Sequence, residues 1–271
     1  MTSAGRRVRF SELGSIWLRR PVAPVLREPT RDPDGTLWAT WESLDVLKGM
    51  WRTFDGLWVN HPDRNEAAGS KLEQLRRAES LGFVVPQTIV TNDPLTLGEF
   101  SSSHPRGVIC KPVRSGHMVV EGAERLFFTT LMTTAELKAF PGGGGEPYLF
   151  QALVEKDCDV RVTVIGEHVF AVRIESQVSA DSRIDWRRGD QLALPHSVID
   201  LPDDVIDRCL RLVRAYGLEF GAIDLAITPD GATVFFELNP NGQWVWLEQL
   251  TSLPLRATLA DLLESGNATR V

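Results

Sequence analysis

Cysteine is scarce in this chain. Cys110, Cys158 and Cys209 are the only three among 271 residues, and no Cys-x-x-Cys pair occurs. That count and spacing argue against a zinc ribbon and against a disulfide framework. The five histidines (His61, His104, His117, His168 and His196) never fall at metal-ligand spacing. Long apolar runs are missing too: none approaches the ~20 residues needed to span a bilayer. Residues 1–9 are basic but lack the apolar core of a signal peptide. The reading is a cytoplasmic chain with no membrane partner. Positive charge is also short, with 29 Lys and Arg against 36 Asp and Glu and a net charge of −7. A nonspecific nucleic-acid binder needs a basic footprint, so nucleic acid is not an expected partner. No internal repeat is visible.

Apolar residues make up 43% and charged residues 24%, enough apolar surface to offset chain entropy. Ser15-Ile16-Trp17-Leu18 reads as extended and residues 22–36 as loop. The spacing of Leu37, Trp38, Trp41, Leu44, Leu47, Met50 and Trp51 predicts a helix over 37–55. Residues 57–59 read as a buried strand, and 65–81 as one helix stopped by Gly82. Strands are predicted at 88–91, 108–113, 126–128 and 148–151. A helix should start at Pro94, and Thr133-Thr134-Ala135-Glu136 matches a capping box. Gly142–Gly145 reads as a flexible connector, since it leads into a strand and not a helix N-terminus. Residues 159–165 and 169–174 alternate about Gly166 as a hairpin, 203–216 is amphipathic, and a last helix covers 254–265.

A second hairpin, over 221–239, carries the chemistry. Pro229-Asp230-Gly231 supplies its turn. Pairing Thr228 with Thr233 puts Asp224 opposite Glu237, and Asn239 lies two residues on, on the same face. Ile223, Leu225, Ile227, Val234, Phe236 and Leu238 then take the core face. Two buried carboxylates that close are costly unless a cation or a proton joins them. By itself, that polar face reads equally well as solvated. Pro240, in Asn239-Pro240-Asn241-Gly242, ends the strand and tilts the reading toward a metal. Three oxygen ligands suit Mg²⁺ completed by substrate phosphates.

With these residues in hand, the chain resembles the ATP-grasp superfamily of carboxylate–amine or carboxylate–hydroxyl ligases over residues 60–265. The resemblance implies an α/β (α+β) ATP-grasp fold, with two α+β subdomains gripping a nucleotide. It places a central subdomain at 65–154 and a C-terminal subdomain with the Mg²⁺ site at 155–271. Residues 1–64 form a shortened N-terminal portion before them. Lys71 looks like the helix lysine near the phosphates and Lys111 like the strand lysine contacting them. Arg114–Gly122, with Gly116, resembles the mobile loop over the phosphates. Gln151, Ala152, Leu153 and Val154 look like the linker whose backbone reads adenine, and Asp159 like the acidic residue at the ribose. Arg161 looks like the arginine facing the phosphates. Asp224, Glu237 and Asn239 match the Mg²⁺ ligands. The implied cofactors are ATP and Mg²⁺.

Within that superfamily, the stretches Ile16–Pro21, Val59–Pro62, Pro86–Pro94, Asp185–Arg187 and Asn239–Trp244 resemble the microviridin-type graspetide synthetases. That branch implies a ribosomally made precursor peptide with a leader segment, joined through its side chains by ester or amide links. It also implies a homodimer. Arg187 would hold the acyl phosphate or the peptide carboxylate, a task suited to a bidentate arginine. Trp244 and Trp246 read as core for one and peptide groove for the other. The leader would add a strand at the edge of the 160–175 hairpin. The alternatives are a RimK-type ligase adding an amino acid to a protein or small acid, and a peptide-binding relative without chemistry.

Overall fold

The structure, a computed structural model, describes residues 8–19, 32–113, 117–120, 123–142 and 145–266. Gly116, the rest of 114–116, residues 121–122 and the middle of the glycine connector lie outside the described residues, as does most of the 22–36 stretch. The strands β1 (Ser15–Trp17) and β2 (Leu57–Val59) pair in parallel. Parallel strands need a long crossover, which α1 (Pro33–Arg52) supplies. That helix starts earlier than its apolar spacing indicates. Asp32 accepts from the N–H groups of Asp34 and Gly35, and Pro33 sits at the first helical position.

The single helix expected over 65–81 is two, α2 (Pro62–Ala67) and α3 (Lys71–Ser80). Buried Gln74 stabilises the break between them. Its Nε2 donates to the Ala68 carbonyl at 2.5 Å and the Leu238 carbonyl at 2.8 Å, and its Oε1 accepts from Leu238 N–H. The break places Lys71 on the first turn of α3, against the C-terminal sheet.

The central sheet runs β3 (Thr88–Thr91), β8 (Tyr148–Ala152), β4 (Val108–Lys111) and β7 (Thr130–Leu131), all antiparallel neighbours. A separate hairpin joins β5 (His117–Val120) to β6 (Ala123–Leu126). The strand expected at 126–128 therefore ends at Leu126, with Phe127 and Phe128 beyond it. The helices α4 (Pro94–Ser103) and α5 (Thr134–Lys138) cover this sheet around Leu97, Val108 and Phe150. Asp93 caps α4, and the capping box at Thr133 and Glu136 is formed.

The C-terminal sheet has the order β11-β10-β9-β12-β13. Its strands are β9 (Cys158–Ile165), β10 (His168–Ile174), β11 (His196–Val198), β12 (Phe220–Ile227) and β13 (Thr233–Asn239). One face packs on α6 (Asp203–Ala215) through Val160, Val162, Leu225 and Phe235 against Val205, Cys209 and Leu212. The other face is divided. At one end Ile165 and Phe220 pack against β2, α7 (Val245–Thr251) and α8 (Leu255–Ser265). The other end carries the polar row described below. Asn60 locks the N-terminal unit in place: its Oδ1 accepts from the N–H groups of Glu219 and Phe220, and its Nδ2 donates to the carbonyls of Phe220 and Pro240. α7 and β11 have no counterpart in the sequence reading, being short and lacking a full period.

The hairpin of β12 and β13 differs from strict alternation in one respect. Ile227, not Thr228, opposes Thr233, and Leu225 opposes Phe235. The register then shifts between Asp224 and Leu225, so that Asp224 still opposes Glu237. Phe236 is the extra residue of this bulge. Phe235 takes the core position expected of Phe236 and packs 5.5 Å from Phe83, while Phe236 turns to the polar face. One inserted residue lets the core keep a phenylalanine and leaves Glu237 on the side of Asp224.

Candidate active site

Directly opposed residues of β9, β12 and β13 form a cross-strand row, Arg161, Asp224 and Glu237. Arg161 donates from Nη1 to Asp224 Oδ1 at 2.6 Å and from Nη2 to the Gln243 carbonyl at 3.4 Å. Its guanidinium carbon lies 5.9 Å from the Trp186 ring. Gly242 makes this approach possible, because a Cβ there would stand 2.3 Å from the Ala222 Cβ and 3.0 Å from Arg161 Nη2. Glu237 is held more loosely, by Lys71 at 3.4 Å and Arg187 at 3.5 Å.

Asp224 and Glu237 of this row form one end of a cleft between the two sheets. Its walls include Lys111, Ala152, Leu153, Val154, Lys156, Asp159, Asp185, Arg187 and Phe236. Lys111 reaches it from β4, and both Lys111 and Lys156 lie over the Phe236 ring, at 5.2 and 5.5 Å. Lys71 donates to the Pro112 carbonyl at 2.9 Å, tying α3 to the end of β4.

The charges of the site shift one another. Burial pushes the Glu237 carboxyl up, but Lys71, Arg187, Lys111 and Arg161 outweigh it and hold the group at about 2. Burial raises Asp224 and Arg161 only partly opposes it. The two facing carboxyls are thus drawn apart, the usual outcome for close like charges. Burial brings Lys111 down to about 8 despite the attraction of Glu237.

The expected residues fall into three groups. Lys71, Lys111, Arg187, Asp224 and Glu237 converge. Ala152, Leu153, Val154 and Asp159 line the same cleft further along. The N–H groups of Ala152 and Leu153 are already given to the carbonyls of Gln87 and Gly107. Asp159 is buried and bound by Lys156 at 2.7 Å. Burial raises its carboxyl, against the pull of that lysine. The third group stands apart. The Gln151 side chain is buried and donates to Thr88 Oγ1 at 2.9 Å, away from the cleft lining. Arg161, the β9 member of the row, is buried behind Asp224 and does not line the cleft. Asn239 is exposed, and its Oδ1 accepts from Asn241 N–H at 2.9 Å. Trp244 is buried against Trp17, and Trp246 packs on Trp186 and His196. Lys156, Phe236 and Thr129 are cleft residues that the sequence did not single out. Lys156 had a signal in its i,i+3 spacing to Asp159, whereas Phe236 depended on the bulge.

Two hard carboxylates on one face fit Mg²⁺. Among the described residues no group of three or more His, Cys, Asp or Glu side chains could hold a metal. Such a pair leaves coordination positions for substrate phosphates and water, as Mg²⁺ prefers.

No protein-family model and no curated protein matches the chain. Solved structures do. A RiPP-associated ATP-grasp ligase of Chryseobacterium gregarium, in complex with ADP and a leader and core peptide, is 30% identical with a TM-score of 0.85, covering 95% of this chain and 78% of that one. The chain belongs to the ATP-grasp ligases. The macrocyclase MdnC of Microcystis aeruginosa, bound with its precursor peptide MdnA, is 26% identical with a TM-score of 0.85, over 98% of this chain and 83% of its own. MdnB of the same organism is 29% identical with a TM-score of 0.70, over 92% and 76%. This ATP-grasp ligase therefore has the two-subdomain α/β grip that its motifs implied, and the described cleft lies between the two sheets of that grip. No helix among its described residues is long and apolar enough to cross a membrane.

Proposed function

We propose that this ATP-grasp ligase is a graspetide synthetase. It binds a ribosomally made precursor peptide with a leader segment and activates an Asp or Glu side chain as an acyl phosphate. A Thr, Ser or Lys side chain of the same peptide then closes an ester or amide macrocycle. The observation that carries this reading is the convergence of Lys71, Arg187 and Lys111 on Glu237 at one end of a cleft whose other walls hold Ala152–Val154. The sequence stretches shared with the microviridin type, and structural relatives solved with peptides, supply the substrate class.

Positioning and charge neutralisation do the catalysis here. The peptide carboxylate oxygen attacks the γ-phosphorus of ATP and ADP leaves. The hydroxyl or amine then attacks the acyl carbon, its proton is lost, and phosphate leaves. Lys71, Lys111 and Arg187 hold the phosphates and offset their charge. Arg161 keeps Asp224 in place beside Glu237. Asp224 and Glu237 would hold Mg²⁺, which neutralises phosphate charge when bound, and Asn239 at the strand end would join them by exchanging the Asn241 N–H on its Oδ1. Val154 would offer its N–H to the adenine edge, and Asp159 and Lys156 would flank the ribose.

The subdomain division at 65–154 and 155–271, a homodimeric state and a cytoplasmic setting belong to the same proposal. So does leader docking on β10. There β11 covers 172–174, so an added strand would use 168–170. Charge reversal at Glu167, beside the open stretch, should then weaken leader affinity.

Incubation with Mg·ATP and the peptides encoded beside the gene tests the proposal by intact mass. Loss of one water per link is expected. A gain of one residue mass would instead identify an amino-acid ligase, and a bound but unchanged peptide a binding protein.

A further inference from the structure

Residues 175–195, the excursion between β10 and β11, are fastened to the central sheet at residues 128–130. Asp185 is buried and accepts the backbone N–H of Thr129 on Oδ2 at 3.0 Å. The same oxygen accepts Arg187 Nη2 at 2.8 Å, while Oδ1 accepts Arg187 Nε at 2.8 Å and its backbone N–H at 3.1 Å. Next along the chain, Arg188 donates from Nη2 to Thr130 Oγ1 at 2.8 Å, with its guanidinium 5.5 Å from the Phe128 ring. Thr129 leads directly into β7, an edge strand of the central sheet. One carboxylate thus joins the two halves of the grip and, by a bidentate fork, orients the arginine that meets Glu237 at 3.5 Å. A buried carboxylate persists only where donors compensate its lost hydration, and one of these donors belongs to the opposite sheet.

We propose that residues 185–188 are a clasp across the nucleotide cleft, and that Asp185 is a positioning residue which makes Arg187's place at Glu237 conditional on docking of the two sheets. With Thr129 docked, the carboxylate is held from both sides and Arg187 stands at the phosphate end. With the sheets apart, Asp185 loses Thr129, Arg188 loses Thr130, and Arg187 leaves Glu237. Closure of the grip and delivery of this positive charge are one event. The coupling rests on reading the cleft as the nucleotide site, whereas the clasp itself does not.

The test uses the full chain, with Mg·ADP and Mg·AMPPNP titrated by calorimetry and amide hydrogen exchange followed over residues 127–131. Asp185→Asn keeps the size but loses the fork. It should raise exchange at 127–131 and lower the preference for AMPPNP over ADP about tenfold. Arg187→Ala should lower that preference equally, and the double variant no further, because the two act as a unit. Thr130→Val, outside the cleft, should raise the same exchange and reduce the preference by a smaller factor, and it serves if Asp185→Asn does not fold. Equal weakening of both nucleotides, additive losses in the double variant, or unchanged exchange in Asp185→Asn and Thr130→Val would each overturn the proposal. If the native chain binds neither nucleotide while exchange still responds, the nucleotide reading fails and the coupling with it.

Discussion

Asp224 and Glu237 face each other across β12 and β13, yet different cations hold them. Arg161 grips Asp224 at 2.6 Å, whereas Lys71 and Arg187 stand 3.4 and 3.5 Å from Glu237. The tight partner is structural and beneath the cleft. The loose partners come from α3 and from the excursion after β10, and can yield to a ligand. Glu237 is therefore the carboxylate poised to exchange its contacts.

Glu237→Gln tests that assignment. Mg·ATP at 100 times its Kd should stabilise the native chain by about 2.7 kcal/mol, about 5–10 °C in Tm for a chain of this size. The shift should need both Mg²⁺ and ATP and should largely vanish in Glu237→Gln. A full shift in that variant would remove Glu237 from the metal site.

Arg161 and Asp224 should behave as a buried pair. Replacing either alone with Ala strands the other charge and should cost about 3–5 kcal/mol in urea denaturation. Replacing Arg161 with Met and Asp224 with Leu together should cost less than either single change. Losses that add would mean the pair is not coupled.

Lys111 sets a pH dependence of nucleotide binding. Without nucleotide its ammonium holds its proton only to about 8, because burial disfavours the charge. Phosphate favours the charged form, so above that pH binding must take up a proton. The Kd for Mg·ADP should be flat below pH 7 and rise above pH 8, by at most about tenfold per pH unit. Lys111→Arg should flatten the profile. An unchanged slope in that variant would assign the titration to another group.

The bulge separates two adjacent phenylalanines. Phe235 is fully buried, so Phe235→Ala should cost about 3–5 kcal/mol of stability. Phe236→Ala should cost far less and instead weaken Mg·ADP binding, since its ring lies under Lys111 and Lys156. The reverse pattern would restore strict alternation.

Much of this was legible in the chain. The periodicity of 203–216, the helix start at Pro94 and the turn at Pro229-Asp230-Gly231 are local, so their residues specify them without help. The opposition of Asp224 and Glu237 was also readable, although by a pairing one residue off at the turn that the bulge then compensates. Tertiary structure decided the rest. Gln74 broke one expected helix in two, because it had to satisfy both Ala68 and Leu238. Phe236 joined the cleft because the core claimed Phe235. Asp185 gained its partner from Thr129 across irregular segments, where no period marks a residue as buried. The sequence by itself determined the strongly periodic and capped elements, such as 203–216 and the 221–239 hairpin, and put Asp224 and Glu237 on one face. Only the packing of one sheet against the other decided which cations meet which carboxylates, since those distances depend on residues far apart in the chain.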